Sequence, residues 1–102
     1  MPKFTSNLSF MFPEVAFLER FHAAADAGFT AVEFAFAYEH PAEQVAAAAK
    51  SAGVEVVLMN LPPGDWNAGE RGLGALAGRR DDFRAALATA IRYAEANGCR
   101  QL

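Results

Sequence analysis

The side chains best suited to chemistry fall in one apolar run and two polar stretches that follow such runs. Glu39 and His40 close the run AVEFAFAY (31–38), and Asn60, Asp65, Glu70 and Arg71 lie in NLPPGDWNAGERGLGALAGRR (60–80). Carboxylates gathered at one face could hold a hard divalent cation through oxygen ligands. Arg71 could clamp a substrate carboxylate with its planar fork, which fits that geometry better than a lysine would. Each of these residues taken singly also fits a solvated surface role or a hydrogen bond inside its own loop. Glu33 stands apart because Val32 and Phe34 flank it inside an apolar run. A carboxylate there is costly to bury unless it is paired or binds something, so a ligand contact and a structural salt bridge both answer the cost.

Other patterns carry less. GLGALAG (72–78) has the glycines of a dinucleotide loop but neither follows a strand nor matches the GxGxxG spacing. His22 reads as a partly exposed helix residue and His40, before Pro41, as a turn residue. Cys99 has no histidine near it in sequence and reads as a small core residue rather than a nucleophile. There is no HxxxH or CxxC pair, so a zinc site is not expected from this chain.

Elements that would position these groups are marked by end signals. Pro13 to Ala27 reads as a helix, with Pro13 at its first position, a stripe of Phe17, Phe21 and Ala24 flanked by Leu18 and Ala25, and Gly28 after it. Pro41 to Ala52 repeats that plan with Glu43 in its first turn, the small stripe Val45, Ala48, Ala49 and Ala52, and Gly53 at its end. Asp81 to Asn97 places Phe83, Leu87, Ala90, Ile91 and Ala94 on one face and stops at Gly98. Between them, Phe4 to Phe12, Ala31 to Tyr38 and Val54 to Leu61 read as strands, the last two nearly continuous in apolar residues, as in strands covered on both faces. A fourth strand would begin at Cys99 and stop at Leu102. Alternating strands and helices imply a parallel sheet with right-handed crossovers.

Composition bounds the function. The chain has 102 residues, 53 % of them hydrophobic, which supplies a core and excludes disorder. Nine Lys and Arg against twelve Asp and Glu give a net charge of −3, which argues against nucleic-acid binding through a basic face. One cysteine forms no internal disulfide, and no apolar run reaches the ~18 residues that cross a bilayer, so a cytoplasmic protein without a membrane partner is expected. A (β/α)8 barrel takes ~250 residues, of which 102 are roughly 40 %. The fold expected is therefore an α/β, incomplete (β/α)8 TIM barrel, its first three βα units plus the start of strand 4. Residues 1–102 would be the N-terminal part of a single barrel domain, and a self-contained small α/β domain is the competing reading. The stretch 60–80 has no periodicity, and parallel α/β folds bind ligands at the carboxyl ends of their strands. A lid is one reading of it; a structural loop that packs Trp66 on the barrel rim is the other.

FTSNLSFMF, FLERFHAAADAGFTAVEF, NLPPGDWNAGERG and GRRDDFRAALATAIRYAEANGC resemble the hydroxypyruvate isomerase family over essentially the whole chain. The resemblance implies a xylose isomerase-like TIM barrel of glyoxylate and carbohydrate metabolism that interconverts hydroxypyruvate and tartronate semialdehyde, both small hydroxy-oxo acids. The 2-oxo-tetronate isomerases of the same group share the NLS and GFxAVEF elements, but Asp65-Trp66 and Gly69-Glu70-Arg71-Gly72 look closer to the hydroxypyruvate enzymes. Ala37 and Ala77 stand where that family commonly has proline, and Arg80 where an acidic residue is usual. Asn7, Glu33, Asn60, Asp65, Glu70 and Arg71 match family loops as substrate-binding or lid candidates. The family's proton-shuttling glutamates, and the ligands of a divalent metal such as Mg, come from the second half of the barrel. No catalytic residue and no metal ligand is therefore expected before Leu102, and the 102-residue chain alone is expected to be inactive. Two alternatives stand beside this reading: a non-catalytic partial barrel that forms a homo-oligomer through open strand edges or binds a small acid, and a repair endonuclease on the same barrel type, which the charge and the lack of histidine ligands disfavour.

Overall fold

The computed structural model describes all of residues 1–102. Three parallel strands, β1 (Ser6–Asn7), β2 (Ala31–Phe34) and β3 (Glu55–Met59), form one sheet in that order. Helices α1 (Arg20–Asp26), α2 (Ala42–Ala52) and α3 (Arg80–Asn97) connect and follow them. The α/β alternation and parallel pairing agree with the expectation from sequence.

The strands alternate between two environments. Ser6, Leu8, Val32, Phe34, Val56 and Met59 are buried and join Phe21 and Ala24 of α1 and Val45 and Ala49 of α2. Asn7, Glu33, Val57 and Leu58 remain half-exposed on the face that no helix covers. Val56 and Met59 are an odd number of residues apart, yet both are buried. A bulge reconciles them: Val32 pairs with Val56 but Glu33 pairs with Leu58, so Val57 is the extra residue and the alternation is reset.

Phe17, Phe21 and Phe34 pack edge to face at centroid distances of 5.5–5.8 Å. Each such pair is worth about 0.5–1.5 kcal/mol beyond the area it buries. The rings tie the start of the first helical segment to the carboxyl end of β2.

Several boundaries differ from expectation. The first helix begins at Arg20, after a 3-10 turn at Phe17–Glu19, not at Pro13. Val15 N–H donates to the Phe12 carbonyl at 3.3 Å, so Pro13 is the second residue of a turn, where its fixed φ serves equally well. β1 spans two residues, because the Asn7 side-chain carbonyl accepts Ser9 N–H and its backbone carbonyl accepts Met11 N–H, turning the chain. β2 stops at Phe34 because the next two amides donate to Ser9 Oγ. The buried stripe of α3 is Ala86, Ala90, Tyr93 and Ala94; Ile91 is exposed and Phe83 and Leu87 are only half-buried. The expected face was therefore rotated, because Tyr93 turns inward to donate to the His40 carbonyl at 2.6 Å. Residues 99–102 form no assigned strand, although Met59 N–H already donates to the Gln101 carbonyl. Helices α2 and α3 end as expected, at Gly53 and Gly98 with left-handed φ of 72° and 64°. No helix is long and apolar enough to cross a membrane.

Candidate functional site

A cleft of about 500 Å³ opens at the carboxyl ends of the strands. Each strand sends one loop to it. The segment after β1 brings Ser9, Phe17 of the 3-10 turn and Arg20 at the start of α1, the loop after β2 brings Phe36, Tyr38, Glu39 and His40, and the loop after β3 brings Pro62 to Asn67. A larger hollow of about 1040 Å³ lies at the amino ends, around Phe4, Phe29 and Glu55. Its only charged side chains are Lys3 and Glu55, and parallel α/β folds place their chemistry at the other end.

The cleft's outer wall is the segment after β3, and polar bonds fold it on itself. Gly72 N–H donates to the Pro63 carbonyl at 2.8 Å, which closes the loop at its neck. Inside that closure, Glu70 Oε1 accepts Asp65 N–H at 2.7 Å while the Glu70 carboxylate pairs with Arg79. Arg79 also donates to Asp82 in the first turn of α3, so the loop is latched to that helix. Arg79 first, and then the Asp65 amide, hold the Glu70 carboxyl below its usual value. The Arg79 guanidinium is correspondingly pushed up by Glu70 and Asp82. Gly64 makes the fold possible: at φ +90°, a Cβ would stand 2.9 Å from Glu70 Oε1.

Trp66 is packed rather than buried. Phe36 meets it edge to face at 4.9 Å and the Arg71 guanidinium lies 3.6 Å from its ring centroid. Arg71 also donates to the Trp66 and Glu70 carbonyls at 2.8 Å. Leu73 is buried, whereas Leu76 stays exposed.

The six candidates from sequence separate into three groups. Asn7 and Glu33 are register partners, and Asn7 Nδ2 donates to Glu33 Oε1 at 3.2 Å on the uncovered face of the sheet. Asp65 lines the cleft, with Oδ1 accepting the Ala68 amide at 3.1 Å. Asn60, Glu70 and Arg71 are not among the residues lining it. Asn60 continues the ladder through N–H to the Phe34 carbonyl, and its own carbonyl accepts Tyr38 OH. Burial, with Tyr93 and Cys99 nearby, pushes the Tyr38 hydroxyl up to about 12, so it stays a donor. His40 stacks on Phe17, and His22 lies within 3.2 Å of Ser51 Oγ on the helical side.

The carboxylates that could have gathered at this face do not form a cluster, because Glu70 is committed to Arg79 and Asp65 to its own loop. No three His, Cys, Asp or Glu side chains come together as a metal site, so these residues by themselves do not fit a divalent cation. Sequence reasoning passed over Arg20, Ser9 and Phe36. Only the FLERF context around Arg20 hinted at a charge set among apolar neighbours.

Comparison with known proteins places this architecture. The chain is 54 % identical over 94 residues to the 2-oxo-tetronate isomerase of Cupriavidus necator, covering 92 % of this chain and 36 % of that protein. It is 46 % identical over 102 residues to the hydroxypyruvate isomerase of Escherichia coli, covering 100 % of this chain and 40 % of the relative. A crystal structure from Brucella melitensis, named an AP endonuclease of family 2, superposes with a TM-score of 0.95 at 52 % identity, over 98 % of this chain and 39 % of that one. The chain thus spans 36–40 % of the length of these curated relatives. Residues 21–102 match the xylose isomerase-like TIM-barrel family. With three parallel strands, helices on one face and a cleft at the carboxyl ends, the chain belongs to the xylose isomerase-like TIM-barrel family.

Proposed function

We propose that this chain is the N-terminal part of a single-domain isomerase that moves a carbonyl between adjacent carbons of a small hydroxy-oxo acid, hydroxypyruvate being converted to tartronate semialdehyde. One observation carries the reading: 46–54 % identity to proteins named for such isomerisations, over 92–100 % of the chain. The charge of −3 weighs against the DNA chemistry in the Brucella protein's name. A small acid acted on in the cytoplasm accords better with the names of the isomerase relatives.

The reaction removes a proton from C3 of hydroxypyruvate, and the C–H electron pair becomes the double bond of an enediolate. A proton then passes from the C3 hydroxyl to the C2 oxygen. Reprotonation at C2 re-forms the carbonyl at C3, with no net oxidant or reductant. A carboxylate of raised pKa within ~2.6–3.2 Å of the moving proton performs such a step. In this reading those carboxylates belong to strands that follow β3. The residues present here shape the site. The loop after β3 excludes water from the enediolate, with Trp66 and Phe36 as its apolar wall. Asp65 borders the cleft, Asn7 and Glu33 line the inner face of the sheet, and Glu70 and Arg71 hold the loop's shape.

The higher identity to the Cupriavidus relative favours a second reading, in which a four-carbon 2-oxo acid is the substrate. Both are tested by incubating the full-length protein in D2O with hydroxypyruvate and, separately, with 2-oxo-tetronate. Isomer formation with deuterium entering the product carbon supports the reaction class, and the ratio of kcat/KM values selects the substrate. No exchange with either acid would sink the proposal.

A further inference from the structure

We propose that Arg20 is the anchor for the substrate's carboxylate, an inference that rests on the isomerase reading above. A hydroxy-oxo acid is an anion, and drawing its carboxylate out of water needs a cation or a set of donors at a defined place. These 102 residues carry a net charge of −3, so a cation they offer the carboxylate acts locally rather than through their overall charge.

Arg20 is the one Lys or Arg among the residues lining the cleft. It is half-buried and takes part in none of the structure's ion pairs, which belong to Arg79 and Arg84. Its orientation is nonetheless set, since Nε donates to the Val15 carbonyl at 3.1 Å and Nη1 to the Leu8 carbonyl at 2.8 Å. A guanidinium has five N–H groups; two are used here, and the remaining three sit on neighbouring Nη1 and Nη2. That is the fork that grips a carboxylate through two parallel hydrogen bonds. Neutral carbonyls position the group without cancelling its charge.

Ser9 stands in the same cleft. Its Oγ accepts the amides of Ala35 and Phe36 at 2.8 and 3.3 Å, which fills its lone pairs and leaves its O–H to donate. Arg71, the other arginine near this loop, lies on Trp66 and outside the cleft lining. The geometry therefore gives the charge of the substrate to Arg20 and the shape of the wall to Arg71.

The test compares hydroxypyruvate with dihydroxyacetone, which differs only in carrying a hydroxymethyl group where the acid has its carboxylate. In the full-length protein, Arg20→Gln is expected to raise KM for the acid about 100-fold, as when one partner of a desolvated charge pair is removed. The smaller rate with dihydroxyacetone is expected to stay within a few-fold. Equal loss on both substrates, or an unchanged KM for the acid, overturns the anchor, because a loop-pinning role would show the first and a bystander the second. Modification by phenylglyoxal needs no variant and no turnover. Malonate, an unreactive dicarboxylate, should protect Arg20 of the native protein, as located by peptide mass mapping. Protection at Arg20 without isomerase activity would keep the anchor and discard the isomerase; absence of protection there discards the anchor.

Discussion

The helix-backed sheet and the loop between β3 and α3 are held by different forces. In the sheet, Phe21, Val32, Phe34 and Val45 are at most 1 % exposed, and stability comes from apolar area removed from water. Along residues 61–79 only Leu73 is buried, and shape comes from directional bonds: one neck, one carboxylate latched to an arginine, and one arginine laid on a ring. Area is indifferent to pH and direction, whereas a latch depends on both. The scaffold of the cleft should therefore be robust and its wall adjustable.

The largest effect should come from the scaffold. Phe34→Ala removes the ring on which Phe17 and Phe21 both pack, and is expected to cost about 3–5 kcal/mol in denaturant unfolding. A cost below about 1 kcal/mol would mean that apolar packing does not dominate this half, and the contrast would collapse.

A smaller, local effect is expected from Gly64→Ala. The left-handed φ and the close approach to Glu70 both oppose a side chain, and such strain costs about 1–3 kcal/mol. Hydrogen exchange should quicken at the amides of Asp65, Glu70 and Gly72 while those of Val32 and Val56 keep their protection. Uniform quickening would show that loop and sheet open as one unit.

The smallest effect is a pH dependence of the latch. The Glu70 carboxyl titrates below its ordinary value in the folded protein, so its contribution is full above about 4.5 and is lost as pH falls through the depressed value. Trp66 is the single tryptophan and sits in this loop, so its fluorescence reports the change. A transition on the acid side of 4.5, absent in Glu70→Gln while far-ultraviolet circular dichroism stays constant, is the expected result. The same transition in the variant would assign it to another group.

What was legible in the sequence was local. The ends of α2 and α3 were readable because a glycine with positive φ and the stripe before it lie within a few residues of each other. The loop was readable as a break in periodicity. Pro13 was misleading because its fixed φ suits a helix start and a turn alike, and only the Val15 to Phe12 hydrogen bond decides between them. Strand lengths were overestimated because β-forming residues continue past the point where partners end; Ala35 and Phe36 give their amides to Ser9, not to a strand.

The sequence alone determined the order of elements, the parallel α/β class and the place of the long loop, since periodicity and capping act over a turn or two of chain. It also determined the sign of the overall charge and hence the class of partner that is disfavoured. Only the tertiary structure decided which polar groups meet. Glu70 finds Arg79 nine residues away, Asn7 finds Glu33 across the sheet, and Arg20 is aimed by carbonyls of Leu8 and Val15. Hydrogen bonds and ion pairs depend on distances of a few ångströms and on direction, and no spacing along the chain specifies either until packing of the sheet and helices brings the groups together.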